Sequence, residues 1–326
     1  GTIKKIKNDK IKKNRYFDYR NLYELEKYTL KKSTSLFIEK FYETVRQITS
    51  DNKNYNVALT GGFDSRTIYA ILNKIGKIIK GYSFGLKDAL NIKIPLEISR
   101  KLGINYTPIY LNCEYEENFK YWYEQTALLS DGYLGERANY PYAYKKLREY
   151  SGISVNGNWG SEAIRPFQNF NSLVSKLIYD INNSGKKILE FRKFYNEYKK
   201  KSLIKEEILN KYSYQIEEHL IDWFKYVEGF PKEKRIHMYL YFENERKFFA
   251  NEIQTERKYC TNRYPYYDDD IVKLLFKSPF SGVNKTSFKK DFYSIYKSQR
   301  IYYEILKRYS PEYLNFTTDH GYPPKA

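Results

Sequence analysis

Residues 55–72 read YNVALTGGFDSRTIYAIL, and this stretch determines which fold the rest of the chain can adopt. Apolar residues at alternating positions in 55–59 predict the end of a buried β-strand. Residues 60–63 then form a tight loop with two glycines. Beyond the loop, apolar residues at helical spacing predict an amphipathic helix that begins at Asp64 or Ser65.

The loop between this strand and helix has the properties of an anion-binding site. Paired glycines let the backbone approach an oxyanion closely, and the helix dipole adds roughly half a positive charge there. The loop lacks both the lysine of a Walker A loop and the GxGxxG spacing of a dinucleotide site. Its pattern, [ST]-G-G-x-D-S, is similar to the pyrophosphate loop of the N-type ATP pyrophosphatases. An ordinary helix N-cap at Asp64 or Ser65 is the alternative interpretation.

The composition limits the classes of protein to consider. The 326 residues can form one large or two small domains with a sizeable core. Because the chain has no long apolar run, no signal peptide and only two cysteines, Cys113 and Cys260, we expect a soluble protein of the reducing cytoplasm. The formal net charge of +18 is compatible with a nucleic-acid partner. The lysines are dispersed through predicted helices as well as short runs, so nucleic-acid binding is not favoured.

Predicted strands alternate with predicted helices after residue 72. The further strands fall at 78–84, 106–111 and 153–155, with helices between them. This alternation predicts parallel βαβ units, and therefore an α/β fold whose ligands lie beyond the carboxyl ends of the strands. A long amphipathic helix is also predicted over 25–49, and a helix over 116–129.

We expect one domain with a short N-terminal extension. Residues 1–24, a predicted strand or hairpin, would be the tail of, or the linker from, a preceding amidotransferase-like domain. Residues 25–326 would form the domain itself, with a nucleotide-binding core over 25–170 and a mainly helical part over 171–326.

A second glycine-bearing loop, NGNWGSE at 156–162, follows the strand predicted at 153–155. With both loops in order, the chain resembles the synthetase domain of the asparagine synthetase family, in particular the asparagine-synthase-related proteins. The resemblance implies a parallel-sheet ATP-pyrophosphatase fold, which is Rossmann-like and of the adenine nucleotide alpha hydrolase type, followed by a largely helical C-terminal part. The stretches that carry the resemblance are RYF at 15–17, TGGFDS at 60–65, YSFG at 82–85, GNWGSE at 157–162 and RYP at 263–265.

The resemblance also implies a reaction. Members of the family use ATP to adenylate a carboxylate, release pyrophosphate and pass the acyl group to ammonia or an amine. The implied cofactors are ATP and Mg²⁺, and the implied partners are a small-molecule or peptide carboxylate, an amine donor and a glutaminase domain or subunit. Asp64 and Glu162 would be catalytic and would hold Mg²⁺. The residues implied to bind ATP or pyrophosphate are Leu59, Thr60, Gly61, Gly62, Asp64, Ser65, Ser83, Phe84, Gly85 and Gly157.

The chain departs from the family pattern in the second loop and near its C-terminus. Asparagine synthetases have G-E-G-x-D-E in the second loop, whereas here Asn158 and Ser161 stand where acids are expected, and an amide cannot act as a general base. Residues 317–319 also lack the lysine that the family places beside the α-phosphate. The candidates to replace it are Lys285, Lys289 and Lys290, although solvated helix charges are the favoured interpretation of these lysines.

Other residues have both a functional and a structural interpretation. Arg137 and Arg263 are candidates to bind a substrate carboxylate or phosphate through two hydrogen bonds, or to form structural ion pairs. His219 is expected to be solvated or satisfied rather than a metal ligand, and residues 268–270, DDD, to cap a helix rather than bind a cation.

Two alternatives to an amide-forming ligase remain open. A tRNA-modifying ATP pyrophosphatase would use the same first loop and would account for the positive charge. A non-catalytic nucleotide-binding scaffold of the same fold would account for the altered second loop.

Overall fold

A computed structural model describes residues 2–7, 10–15, 18–22, 26–51, 53–132, 137–164, 176–281, 292–319, 321 and 323. The strands are β1 Thr2–Lys7, β2 Lys10–Arg15, β3 Tyr55–Ala58, β4 Ile79–Gly85, β5 Tyr106–Tyr110, β6 Ile153–Val155 and β7 Thr261–Arg263. The helices are α1 Leu30–Ile48, α2 Phe63–Lys74, α3 Leu90–Leu102, α4 Cys113–Glu117, α5 Phe119–Leu129, α6 Asn139–Tyr150, α7 Gly160–Ile164, α8 Lys176–Asn183, α9 Lys187–Lys201, α10 Glu206–Tyr226, α11 Lys232–Tyr239, α12 Ala250–Arg257, α13 Asp269–Lys277 and α14 Phe292–Tyr309. A π-helix, Leu240–Phe249, joins α11 to α12, and 3-10 helices occupy Tyr19–Leu22, Pro265–Tyr267 and Pro311–Asn315.

Strands β3 to β7 form one parallel sheet in the order β5-β4-β3-β6-β7. The chain first builds the sheet outward from β3 through β4 to β5, and then adds β6 and β7 on the other side of β3. The strand order therefore reverses between β3 and β6, and such a reversal opens a crevice at the carboxyl ends of the two strands. The separate hairpin of β1 and β2 is antiparallel.

Three clusters of buried apolar side chains hold these layers together. The largest joins the sheet to α1, α2, α13 and α14, for example through Phe41, Val57, Ile71 and Ile305. A second lies among the helices of the 176–281 region around Trp223, and a third packs β4 and β5 against α5 and α6. Helices α13 and α14, which follow most of the helical part of the chain in sequence, therefore complete the core around β3.

The predicted α/β class and parallel sheet are confirmed, and the fold is Rossmann-like. The strands predicted at 55–59, 78–84, 106–111 and 153–155 correspond to β3, β4, β5 and β6. Strand β7 was not predicted, because its three residues, TNR, carry no apolar alternation. The helix predicted over 116–129 is two helices that meet at Asn118.

The first long helix also begins later than predicted. Helix α1 starts at Leu30 rather than near residue 25, because the Thr29 side chain caps it by accepting a hydrogen bond from the Lys32 N–H at 3.3 Å. The boundary predicted at residue 170, and Tyr16 and Phe17 of the RYF stretch, lie outside the described residues. Within the described part of the chain, none of the helices is both long enough and apolar enough to cross a membrane.

Candidate functional site

A cavity of about 440 Å³ lies at the carboxyl ends of β3 and β6, where the strand order reverses. Both glycine loops contribute to its wall, and so do α6, the π-helix and α12. Its volume is within the range of roughly 300–1,000 Å³ that small-molecule sites usually have. The lining residues are Ala58, Thr60, Gly62, Asp64, Ser65, Tyr82, Ser83, Phe84, Asn91, Arg137, Tyr140, Tyr144, Asn156, Gly157, Asn158, Trp159, Ser161, Glu162, Phe248, Phe249, Glu252 and Glu256.

The first loop holds its hydrogen-bond donors with its own hydroxyl groups. The Thr60 N–H donates to Ser65 Oγ at 3.1 Å, and the Gly62 N–H donates to Thr60 Oγ1 at 3.2 Å. The two hydroxyl oxygens lie 3.0 Å apart. Gly62 is the N-cap of α2, so the positive end of that helix dipole faces the same region. An anion could replace the hydroxyl acceptors at these N–H groups.

The Asp64 carboxylate joins the two loops. Its Oδ2 accepts a hydrogen bond from Ser161 Oγ at 2.5 Å, and its Oδ1 accepts one from the Tyr302 hydroxyl. Ser161 stands where an acid was expected, and here it supplies a donor to Asp64 instead. The Tyr266 hydroxyl donates to the Asp64 backbone carbonyl at 3.2 Å.

Two glycines of the second loop allow this close approach. A Cβ at Gly157 would lie 3.0 Å from both Asp64 Cβ and the Ser65 backbone nitrogen. A Cβ at Gly160 would lie 2.7 Å from Asp64 Oδ1. Any other residue at these positions would therefore push the second loop away from the start of α2.

Trp159, between these glycines, has a left-handed backbone with φ 73°. Such a conformation is unfavourable for a bulky residue and persists only when the surroundings hold it. The indole is only 1% exposed, and its ring stacks on Tyr267 at 5.9 Å and meets Tyr241 and Phe249 edge-on. The aromatic neighbours thus hold the second loop in its shape.

Three buried glutamates also line the cavity. Glu162 is 8%, Glu252 3% and Glu256 1% exposed. Glu252 forms an ion pair with Arg137 at 3.4 Å. Burial raises the pKa of Glu256 to about 8, although hydrogen bonds from Tyr264, Tyr144 and Asn156 oppose that rise. Glu256 can therefore exchange a proton near neutral pH.

The end of β4 forms a further part of the cavity wall. Ser83 is buried and its Oγ donates to the Asn91 carbonyl at 2.5 Å. The Asn91 amide donates to the Phe84 carbonyl at 2.6 Å. Gly85 is close to the Asn91 side chain, which a Cβ would meet at 3.0 Å. These contacts fix the β4 end beside the first loop.

The structure brings together most of the predicted site residues. Those that line the cavity are Thr60, Gly62, Asp64, Ser65, Ser83, Phe84, Arg137, Gly157 and Glu162. Leu59 lies in the core, and Gly85 packs on Asn91. Gly61 does not line the cavity, and its carbonyl accepts hydrogen bonds from the Arg66 side chain and the Asp319 N–H.

Of the two interpretations of Arg263, the structural ion pair is the one that the structure shows. Its guanidinium donates to both carboxylate oxygens of Asp51, at 2.8 and 2.7 Å, and it does not line the cavity. Hydrogen bonds from Arg263 and Tyr55 hold the pKa of Asp51 well below its usual value. Arg263 is thus a structural ion-pair residue that joins β7 to the end of α1.

The structural interpretations of two other groups are confirmed. Asp268 caps α13, since its side chain accepts hydrogen bonds from the Asp270 and Ile271 N–H groups. His219 lies 3.2 Å from a Glu243 carboxylate oxygen on the protein surface. The three lysines proposed to replace the family lysine, Lys285, Lys289 and Lys290, lie outside the described residues.

Several residues of the cavity were not predicted from the sequence. Glu252 and Glu256 are four residues apart on α12 and therefore share a face, but such acids more often mark a solvated helix face. Tyr302 reaches Asp64 from 238 positions away, and Asn156 binds Glu256 from 100 positions away. No local pattern links residues so far apart in sequence.

Two of the carboxylates in the cavity, Asp64 and Glu162, come from the first and the second glycine loop. Among the described residues, no group of three or more His, Cys, Asp or Glu side chains is arranged to hold a metal ion. Mg²⁺ usually takes one or two carboxylates and completes its octahedron with phosphate oxygens and water. Asp64 and Glu162 line the same cavity and would provide those carboxylates.

Comparison of the chain with models of known protein families finds no match, and neither does a search of curated proteins.

Proposed function

We propose that this protein is an ATP-dependent amide-forming ligase with an ATP-pyrophosphatase fold of the asparagine synthetase type. A carboxylate oxygen of the substrate attacks the α-phosphorus of ATP, the bond to the pyrophosphate oxygen breaks, and pyrophosphate leaves. The nitrogen of ammonia or an amine then attacks the acyl carbon of the adenylate. The nitrogen loses a proton, the acyl–oxygen bond breaks, and AMP leaves.

The observation that carries the proposal is the position of the first loop. It lies at the strand-order reversal, next to the N-terminus of α2, and its Thr60, Gly62 and Ser65 line a cavity large enough for a small-molecule ligand. Open parallel sheets bind nucleotides at this position, and a helix N-terminus stabilises phosphate charge. Charge accumulates on the leaving pyrophosphate in the transition state, so fixed donors there would favour the reaction.

Each part of the cavity then has a role. The first loop would bind the pyrophosphate end of ATP, and the Ser83–Phe84 end of β4 would border the adenosine. Asp64 and Glu162 would hold Mg²⁺, which screens the phosphate charge when bound. Arg137, which is paired with Glu252, would lie near the substrate carboxylate, and Glu256 would face it as a mostly protonated acid at neutral pH.

Nucleotide binding by three matched proteins tests the proposal. Wild type should bind ATP in a Mg²⁺-dependent manner in calorimetry, and Asp64→Asn should weaken that binding by about tenfold or more, because a charged metal contact is lost. The control is Arg263→Met, which removes a cation outside the cavity and should leave ATP affinity unchanged. Absence of ATP binding in wild type would overturn the proposal.

A catalytic assay follows from the same variants. Wild type should exchange labelled pyrophosphate into ATP only when a suitable carboxylate from a panel of amino acids and peptides is present. Asp64→Asn should abolish that exchange.

A second candidate function is a nucleotide-binding scaffold without ligase activity. It is favoured by one observation: both Asp64 carboxylate oxygens accept hydrogen bonds from side-chain hydroxyls, of Ser161 and Tyr302. A metal ion at Asp64 would compete with these hydroxyls for the lone pairs of the carboxylate. Tight ATP binding with no exchange for any carboxylate, combined with unchanged ATP affinity in Asp64→Asn, would support the scaffold over the ligase.

A further inference from the structure

Arg66, in the first turn of α2, is buried without a carboxylate partner at hydrogen-bonding distance within the described residues. Its side chain is 0% exposed. Its Nη1 donates to the Phe316 carbonyl at 3.0 Å, and its Nη2 donates to the carbonyls of Thr317 at 2.8 Å and Gly61 at 3.3 Å. Burial of a cation is costly, so the three backbone carbonyls that accept from its Nη atoms are held firmly in return, while its Nε has no hydrogen-bond partner among the described residues.

These bonds connect the first loop to the C-terminal segment, residues 316–319. The Gly61 carbonyl accepts a second hydrogen bond from the Asp319 N–H at 3.2 Å. A Cβ at Gly61 would lie 3.0 Å from Asp319 Cβ and 3.2 Å from the Asp319 nitrogen. The loop and the C-terminal segment are therefore in direct contact, and neither can shift without the other.

The anchored carbonyl sets the direction of an N–H group. In a trans peptide the C=O of Gly61 and the N–H of Gly62 point to opposite sides. Because the Gly61 carbonyl is directed at Arg66 and Asp319, the Gly62 N–H is directed the other way, to the Thr60 hydroxyl. Thr60 and Gly62 both line the cavity.

We propose that Arg66 is a positioning residue for the pyrophosphate loop: it ties the Gly61 carbonyl to the C-terminal segment and thereby aims the Gly62 N–H at the bound anion. The inference rests on the proposed function, since it assigns the loop to pyrophosphate. It also makes the C-terminal segment a structural part of the nucleotide site.

The test compares ligands that do and do not carry pyrophosphate. Arg66→Met should weaken binding of ATP and of inorganic pyrophosphate by about tenfold or more and leave adenosine binding unchanged, because the β4 end of the cavity does not contact Arg66. Arg66→Lys should not restore the affinity, since one ammonium cannot replace a planar guanidinium that serves three carbonyls. In hydrogen exchange, the amide of Asp319 should lose protection in Arg66→Met.

A second variant covers the case in which Arg66→Met fails to fold. Gly61→Ala introduces the Cβ that meets Asp319 and should produce the same selective loss of pyrophosphate affinity. The matched control is Gly185→Ala, since a Cβ at Gly185 has no neighbour within 4 Å among the described residues. Equal loss of adenosine and pyrophosphate affinity, or no loss of either, would overturn the inference. If wild type binds neither ATP nor pyrophosphate, the proposed function itself fails, which is a distinct result.

Discussion

The buried carboxyl group of Glu256 should make the stability of the fold decrease with pH. Glu256 is 1% exposed, and three donors converge on its Oε2: the Tyr264 hydroxyl at 2.6 Å, the Asn262 amide at 2.9 Å and the Asn156 amide at 3.2 Å. Burial nevertheless outweighs these hydrogen bonds and raises the pKa from 4.5 to about 8. The native state therefore keeps the proton over a pH range in which the unfolded chain loses it.

The sign and size of the effect follow from proton linkage. Stability is greatest below the unfolded pKa of 4.5, falls as pH rises, and reaches its lower plateau above the folded pKa of about 8. Each pH unit in this window costs about 1.4 kcal/mol, so the loss between pH 5 and pH 9 is about 4 kcal/mol from this group. Glu245, whose pKa burial raises to about 7, adds a loss of the same sign.

Glu256→Gln isolates the contribution of this one group. The amide is close in shape to the protonated acid: its oxygen can accept from the same donors, and it does not titrate. The difference in unfolding free energy between Glu256→Gln and wild type should grow by about 4 kcal/mol between pH 5 and pH 9, with the variant the more stable at high pH. Urea titrations at several pH values, followed by tryptophan fluorescence, measure the difference. The control is the exposed Glu207→Gln, and a growth below about 1 kcal/mol would refute the reasoning.

Two further predictions concern the cavity. Gly157→Ala should weaken ATP binding about tenfold or more in calorimetry and should destabilise the fold by roughly 1–3 kcal/mol, because its Cβ would press on Asp64 and Ser65. The control for both measurements is Gly152→Ala, since a Cβ at Gly152 has no described neighbour within 4 Å. The ATP affinity of wild type should fall as pH rises past about 8, because Glu256 then ionises and adds a negative charge to the cavity. Glu256→Gln should keep its ATP affinity over the same pH range, and an equal decline in both proteins would contradict the prediction.

The sequence predicted the part of the fold in which local pattern and tertiary context agree. Strands β3, β4 and β6 carry apolar residues that the parallel sheet buries, and each is bounded by a glycine, asparagine or serine loop. Strand β7 was not predicted, because hydrogen-bonded pairing with β6, rather than its own composition, makes these residues a strand. Pairing with β6 also places Arg263 where it meets Asp51, which its sequence neighbours do not reveal.

The site was predictable where it is built from short loops and unpredictable where it is built from distant elements. Glycine pairs and the residues after a strand signalled Thr60, Gly62, Asp64 and Gly157, since the backbone conformation they require is local. The contribution of α12 and of the C-terminal segment depends on how the helical part packs back on the sheet. Long-range contacts of this kind leave no spacing in the sequence to recognise.

The formal charge of the cavity depends on the protonation state of Glu256. Four acids and one arginine, Arg137, line it, which gives a formal charge of −3. Because the pKa of Glu256 is about 8, this acid is mostly protonated at neutral pH, and the formal charge becomes −2. Under the proposed function, a bound Mg²⁺ would offset part of this charge and of the charge on the triphosphate, whereas a triphosphate without the metal would be repelled more strongly. Under the proposed function, a nucleotide would therefore enter this cavity as its magnesium complex, and the burial that keeps Glu256 protonated at neutral pH limits the negative charge that it meets.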